Sequence, residues 1–159
     1  MKITARTVIP AVLVMVAGAA AACMAQKPDQ VKPGLAREII TLPGARPGLP
    51  FSSGVKAGGV LYLSGVIGTD LKTNELASPD VAGQTRKCME KLQEILNLAG
   101  MDLENAVNVT VYLKDLKDYD EMNKAYAAYF SKTPPARACV QVADLLRDAK
   151  VEISMIASE

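Results

Sequence analysis

Thr133-Pro134-Pro135-Ala136-Arg137-Ala138-Cys139-Val140-Gln141-Val142 opens on two prolines and then alternates. Val140 and Val142 share one parity, and Arg137, Cys139 and Gln141 share the other. A strand here carries a cation, a thiol and an amide on one face. Neither proline donates to a sheet ladder, so the pair fixes where the strand begins and stiffens the chain ahead of the cation. Arg137 is thereby held at a strand start, where its planar five-donor fork suits bidentate capture of a small carboxylate. A structural ion pair is the competing reading of the same cation.

Downstream, Asp144 to Lys150 is a charged turn and Lys150 to Ala157 reads as the final strand. Val151, Ile153 and Met155 take one face, and Glu152, Ser154 and Ile156 the other. Two strands joined by so short a connection are expected to pair antiparallel, which would bring Arg137 and Glu152 together on one face. A carboxylate beside an arginine at a cleft can orient a water or a substrate proton while the arginine holds the substrate.

Upstream, Asp118 to Ser131 reads as a helix with Tyr119, Met122, Tyr126 and Phe130 as its apolar stripe and Asn123 beside it. Ala106 to Lys114 alternates, with Val107, Val109, Val111 and Leu113 on one side, and is the clearest strand. Ser78-Pro79-Asp80 marks a helix start, with Ser78 as the N-cap candidate. Val81, Thr85, Cys88, Leu92, Ile95, Leu96 and Ala99 follow at helical spacing up to the Gly100 stop. That spacing puts Cys88 on the buried stripe, in a packing role. Val55 to Gly65 reads as a hairpin turning at Gly58-Gly59 and ending in Ser64-Gly65, where a glycine permits close approach of a ligand. Pro43 to Pro50 alternates prolines and glycines and is a shaped loop, a candidate wall for a pocket. Arg37 to Leu42 is the first strand. The order β-ββ-α-β-α-ββ is that of an α+β domain with helices covering one sheet face.

The 159 residues hold one such domain plus an N-terminal appendage. Met1 to Arg6 is a short positive head, Thr7 to Ala22 an uncharged apolar run grading into small residues, and polar sequence follows. This is the pattern of a secretory signal. The alternative, a retained membrane anchor, wants roughly 20 apolar residues, and Pro10 and Gly18 interrupt this shorter run. Ala20-Ala21-Ala22 ahead of Cys23 also fits a lipoprotein box, with Cys23 as a lipidated first residue. Ordinary cleavage after Ala22 or Ala25 stays open beside it. The expected organisation is a signal peptide over residues 1–22, a flexible spacer over 23–35 and the domain over 36–159. The setting is exported, periplasmic or lipid-anchored, with the membrane reached only through lipidation at Cys23.

Removing Lys2 and Arg6 and no acid takes the formal charge from +1 to −1, which leaves no electrostatic footprint for nucleic acid. The chain contains no histidine, which excludes His-based metal sites and Ser-His-Asp or Cys-His catalysis. Cys88 and Cys139 are too few for a thiolate metal cage. They are expected as separate buried thiols, although an oxidising compartment would permit pairing.

Ser64-Gly65, Gln84-Thr85-Arg86, Val109 to Asp115, Met122 to Tyr126, Pro135-Ala136-Arg137-Ala138-Cys139-Val140 and Val151-Glu152-Ile153, in that order, resemble the Rid (YjgF) family of reactive-intermediate imine and enamine deaminases. The resemblance spans about residues 36 to 157. It implies a chorismate-mutase-like mixed sheet with two helices on one face, assembled as a homotrimeric barrel with clefts between subunits. It also implies hydrolysis of small 2-imino or enamine acids to 2-oxo acids and ammonia, without a cofactor. By the same resemblance Arg137 binds the substrate carboxylate and Glu152 positions the attacking water. Ser64, Gly65, Asn123 and Cys139 line the cleft.

Three positions depart from the family pattern. Phe51 stands where the archetype has a tyrosine, Val66 where Ser-Gly is followed by glutamine, and Ser154 where a second glutamate closes the last strand. Phe51 and Val66 replace polar groups with apolar ones, which motivates an alternative function, non-catalytic binding of small carboxylates on the same scaffold. RNA cleavage or inhibition of translation, a third class, fits poorly with export and a charge near −1.

Overall fold

The computed structural model describes residues 35–130 and 132–159. The signal-peptide and lipid-anchor expectations, Cys23 included, lie outside these residues. Six strands form one mixed sheet: β1 (Arg37–Ile40), β2 (Gly54–Ala57), β3 (Val60–Ile67), β4 (Ala106–Leu113), β5 (Ala136–Gln141) and β6 (Val151–Ser158). Their spatial order is β1-β2-β3-β6-β4-β5. Two helices, α1 (Val81–Leu98) and α2 (Tyr119–Ala127), pack on one side of it. This is the expected α+β architecture.

The strands follow their side-chain periods except at the start of β4. There the register on β6 shifts between Ala106 and Asn108, so Val107, expected beside Val109 and Val111, is exposed and Ala106 is buried instead. β2 and β3 form a hairpin whose turn residues Gly58 and Gly59 have φ of 59° and 78°, conformations that residues with a Cβ avoid. In β4 Val109, Val111 and Leu113, and in β6 Val151, Ile153 and Met155, are buried toward the helices. They join Cys88, Leu92, Ile95 and Leu96 of α1 and Met122 and Tyr126 of α2 in one core.

α1 is capped by Asp80 rather than by Ser78. Asp80 Oδ1 accepts the Gly83 N–H at 2.6 Å, and Ser78 Oγ donates to Asp80 Oδ2, also at 2.6 Å. α2 stops at Ala127, short of the expected Ser131. Its last turn tightens, with Tyr129 N–H bonding to the Tyr126 carbonyl and Phe130 N–H to that of Ala127.

The expected pairing of β5 with β6 does not occur. β4 lies between them, parallel to β5 and antiparallel to β6. Arg137 pairs with Val109, a buried residue of the helix side, so the Arg137 side chain faces α2. Glu152 pairs with Tyr112, which has the opposite parity. Within one chain the two residues therefore lie on opposite faces of the sheet. Their predicted adjacency on one face is corrected.

The face away from the helices carries Ile39, Val55, Tyr62, Ile156, Asn108 and Ala136 in one row of paired residues across all six strands. Ile39 and Tyr62 are each 53% exposed, and Val140 on the same face is 44% exposed.

Candidate functional site

The residues singled out in the sequence separate into two groups. The first lies on the helix side of edge strand β5. Arg137 Nη2 donates to Asn123 Oδ1 at 2.7 Å and reaches the Tyr119 hydroxyl at 3.5 Å. Its guanidinium carbon stands 4.7 Å from the Tyr126 ring centre and 5.9 Å from that of Tyr119. Tyr119, Asn123 and Tyr126 recur at intervals of four and three along α2, so a single helix face supplies two rings and an amide to the cation. Among the described residues no carboxylate forms an ion pair with Arg137. The competing structural ion pair is therefore not what holds it. Both recorded bonds use one terminal nitrogen, and the rest of the fork is left for a ligand.

Cys139 lies two residues farther along the same face. It is half-buried rather than fully buried, and burial lifts its thiol above the usual range while Arg137 draws it the other way. Cys88 is fully buried, its thiol pushed up to about 12 by burial, and its Sγ donates to the Val66 carbonyl at 3.2 Å. Both thiols are free. Burial disfavours the thiolate at both positions, so neither thiol is activated as a nucleophile. The Tyr126 hydroxyl is buried without a partner and pushed up to about 12 by burial.

The second group surrounds a cavity of about 430 Å³ that Ser64, Gly65, Phe51 and Glu152 all line. β2 pairs with β3 only as far as Leu63, and beyond the Ser64–Ser53 bond Gly65 to Ile67 leave the ladder of β2. The shaped loop fills the gap, and its Gly44, Ala45, Arg46 and Leu49 form a wall of the cavity, as expected for that segment. Ser64 N–H donates to the Ser53 carbonyl at 3.0 Å, and Ser64 Oγ donates to the Ser52 carbonyl at 2.7 Å. This anchors the hydroxyl and leaves its lone pairs open.

Between Leu63 and Val66 the register of β3 on β6 shifts, a bulge that re-aims Ser64 and Gly65. A Cβ built on Gly65 would lie 2.1 Å from Glu152 Oε1, so the absent side chain is what makes room for the carboxyl. Burial raises the Glu152 carboxyl above its ordinary value, with no cation recorded as offsetting it. Phe51 stands at the mouth, 60% exposed.

Two features of the site were absent from the sequence reading. The Tyr119 and Tyr126 rings were assigned to the apolar stripe. Their spacing with Asn123 was the signal that they form a cradle. Lys91, a charged residue outside the apolar stripe of α1, is nonetheless buried and lines the cavity.

Comparison with known proteins places these groups in context. The family model described as Endoribonuclease L-PSP matches residues 44–159. A RutC family protein of Saccharolobus solfataricus is 43% identical over 121 residues, covering 76% of this chain and 96% of that one. The chloroplastic Reactive Intermediate Deaminase A of Arabidopsis thaliana is 37% identical over 123 residues, covering 77% of this chain and 66% of that one. Among solved structures, the YjgF gene product of E. coli superposes with a TM-score of 0.72 at 36% identity, covering 77% of this chain and 98% of that one.

Proposed function

The chain belongs to the Rid (YjgF) family, and on that premise we propose that it hydrolyses small 2-imino acids and their enamine tautomers to 2-oxo acids and ammonia. One observation carries the reading. An arginine fork without a carboxylate partner among the described residues is cradled at an edge strand, and a half-buried carboxyl lies beside Ser64-Gly65 on the other face of the same sheet. Two such half-sites complement one another across copies of the chain, in a homotrimer whose uncovered sheet faces pack together. Arg137 of one copy then meets Glu152 of the next.

In that cleft Arg137 takes the substrate carboxylate through paired N–H bonds, which fixes the imine carbon in place. Glu152 accepts a proton from water as the water oxygen bonds to the imine carbon. It returns that proton to nitrogen, giving a carbinolamine. It then carries the hydroxyl proton to the same nitrogen as the C–N bond breaks and the carbonyl forms, so that ammonia leaves with both water protons. A carboxyl raised by burial is suited to both transfers near neutral pH. Imines hydrolyse in water unaided, so orientation and one proton carrier are what the protein must supply. The chain has no histidine to serve as base. Export or lipid anchoring through residues 1–22 and Cys23 belongs to the same reading, and mass spectrometry of the mature N-terminus tests it.

Coupling the purified protein to an amino-acid oxidase, and following 2-oxo acid formation over the buffer rate, tests the activity. Acceleration is expected for the wild type. Arg137→Ala should lose about 2–5 kcal/mol of substrate binding, and Arg137→Lys should not restore it, because a point charge does not reproduce the fork. Absence of acceleration with several amino acids, together with binding of 2-oxo acids, would favour non-catalytic carboxylate binding instead. RNA cleavage, the activity named in the family model's description, is disfavoured by a charge near −1 once residues 1–22 are removed.

A further inference from the structure

Lys91 projects from α1 to the wall of the 430 Å³ cavity and is only 7% exposed. Its Nζ donates to the Ile67 carbonyl at 3.0 Å and to Thr69 Oγ1 at 2.8 Å. Both acceptors are neutral. An ammonium has three protons, and the recorded bonds account for two. Two carboxylates line the same cavity, Asp70 and Glu152, and neither forms an ion pair with Lys91 among the described residues. Asp70 Oδ1 is occupied by the Lys72 and Thr73 N–H groups at 2.8 and 3.0 Å. Burial holds the Lys91 amine below its usual range, the mark of a cation short of compensating charge. Arg46 and Arg147 stand exposed at the rim of the same cavity. A buried cation without a counter-ion is costly unless something pairs with it, and here the open side is a cavity large enough for a small organic acid.

We propose that Lys91 is an anion subsite, and that the ligand of this cavity is a small organic acid whose second carboxylate pairs with Lys91 Nζ. Resting on the hydrolase reading above, this makes the preferred substrate the imine of an amino dicarboxylic acid. Arg137 takes the carboxylate next to the imine and Lys91 the distal one. The apolar wall contributed by Phe51, Val66 and Ile95 accepts the methylenes between them.

Calorimetry with two stable 2-oxo acids of equal chain length tests this without requiring turnover. 2-Oxoglutarate carries the distal carboxylate and 2-oxopentanoate lacks it. The wild type is expected to bind 2-oxoglutarate about tenfold or more tightly, the scale of one charge-assisted hydrogen bond. Lys91→Met and Lys91→Gln should both abolish that preference and leave 2-oxopentanoate affinity within about twofold. Lys91→Gln keeps a donor for the Ile67 carbonyl. Lys91→Met leaves the Ile67 carbonyl and the Thr69 hydroxyl without this donor and should melt below Lys91→Gln. No preference in the wild type, or a preference that survives in both variants, overturns the subsite. Imine hydrolysis without the preference defeats the subsite alone. A Lys91-dependent preference without hydrolysis defeats the hydrolase reading alone.

Discussion

Glu152 sits against Gly65, half-buried, with its carboxyl shifted upward from the ordinary value of 4.5 by burial. The folded chain therefore holds this proton more tightly than the unfolded chain does. The stabilisation is complete below the ordinary value and is lost as pH rises through the folded value. Glu152→Gln, which cannot ionise, is expected to melt above the wild type at pH 7, with the difference gone at pH 4. Paired thermal melts at the two pH values check this, and an equal gap at both would contradict it. The same variant should abolish imine hydrolysis, while the acid limb of the wild-type kcat/KM profile should lie above the ordinary glutamate value. At this scale the sequence was informative where chemistry rests on one side chain. Arg137 at its strand start and the Ser64-Gly65 step were legible from alternation and glycine placement. Lys91 was not, because helical spacing assigns a charged residue to the solvent side. Its bonds to the end of β3 at Ile67 and to Thr69 just beyond it hold it in a buried position.

Among the elements, α1 is fastened to the sheet by a group that periodicity does not reveal. Gln84 is buried, donates through Nε2 to the Ser78 carbonyl at 2.9 Å and accepts the Lys150 N–H at 2.8 Å. It ties the start of α1 to the residue just before β6. Gln84→Ala leaves both backbone groups without this partner and should cost about 2 kcal/mol, measured as a lower urea midpoint at unchanged slope. A shift under about 0.5 kcal/mol would show that these bonds contribute little. The hairpin glycines, α1 and β4 were readable because a turn type or a repeat of two or near four residues specifies each. The neighbour of β6 was not readable. The short charged connection from β5 fixes only that the chain returns, and β4 enters between the two strands by satisfying both ladders. That insertion separates Arg137 from Glu152 within one chain.

For the whole molecule, among the described residues the helices cover the sheet on one side only. The uncovered side carries Ile39, Tyr62 and Val140 in exposed positions, and β1 and β5 end the sheet as unpaired edges. Apolar groups and free strand edges together mark a surface that other copies can cover. Val140→Lys places a charge on that face, in the paired row that runs through Tyr112 to Glu152. It should convert a trimer into smaller species by light scattering and remove imine hydrolysis with it. A monomeric wild type with full activity would contradict the shared-site arrangement.

The arrangement is tested most directly by complementation. Arg137→Ala and Glu152→Gln are each expected to be inactive alone. Unfolded together and refolded as a mixture, they should form mixed trimers in which some clefts draw an intact Arg137 from one copy and an intact Glu152 from the next. Random mixing in a closed ring restores about a quarter of the wild-type sites. Recovery of activity near that level is the expected result. A mixture as inactive as its two parents, with mixed trimers verified by mass spectrometry, would contradict a site shared between copies.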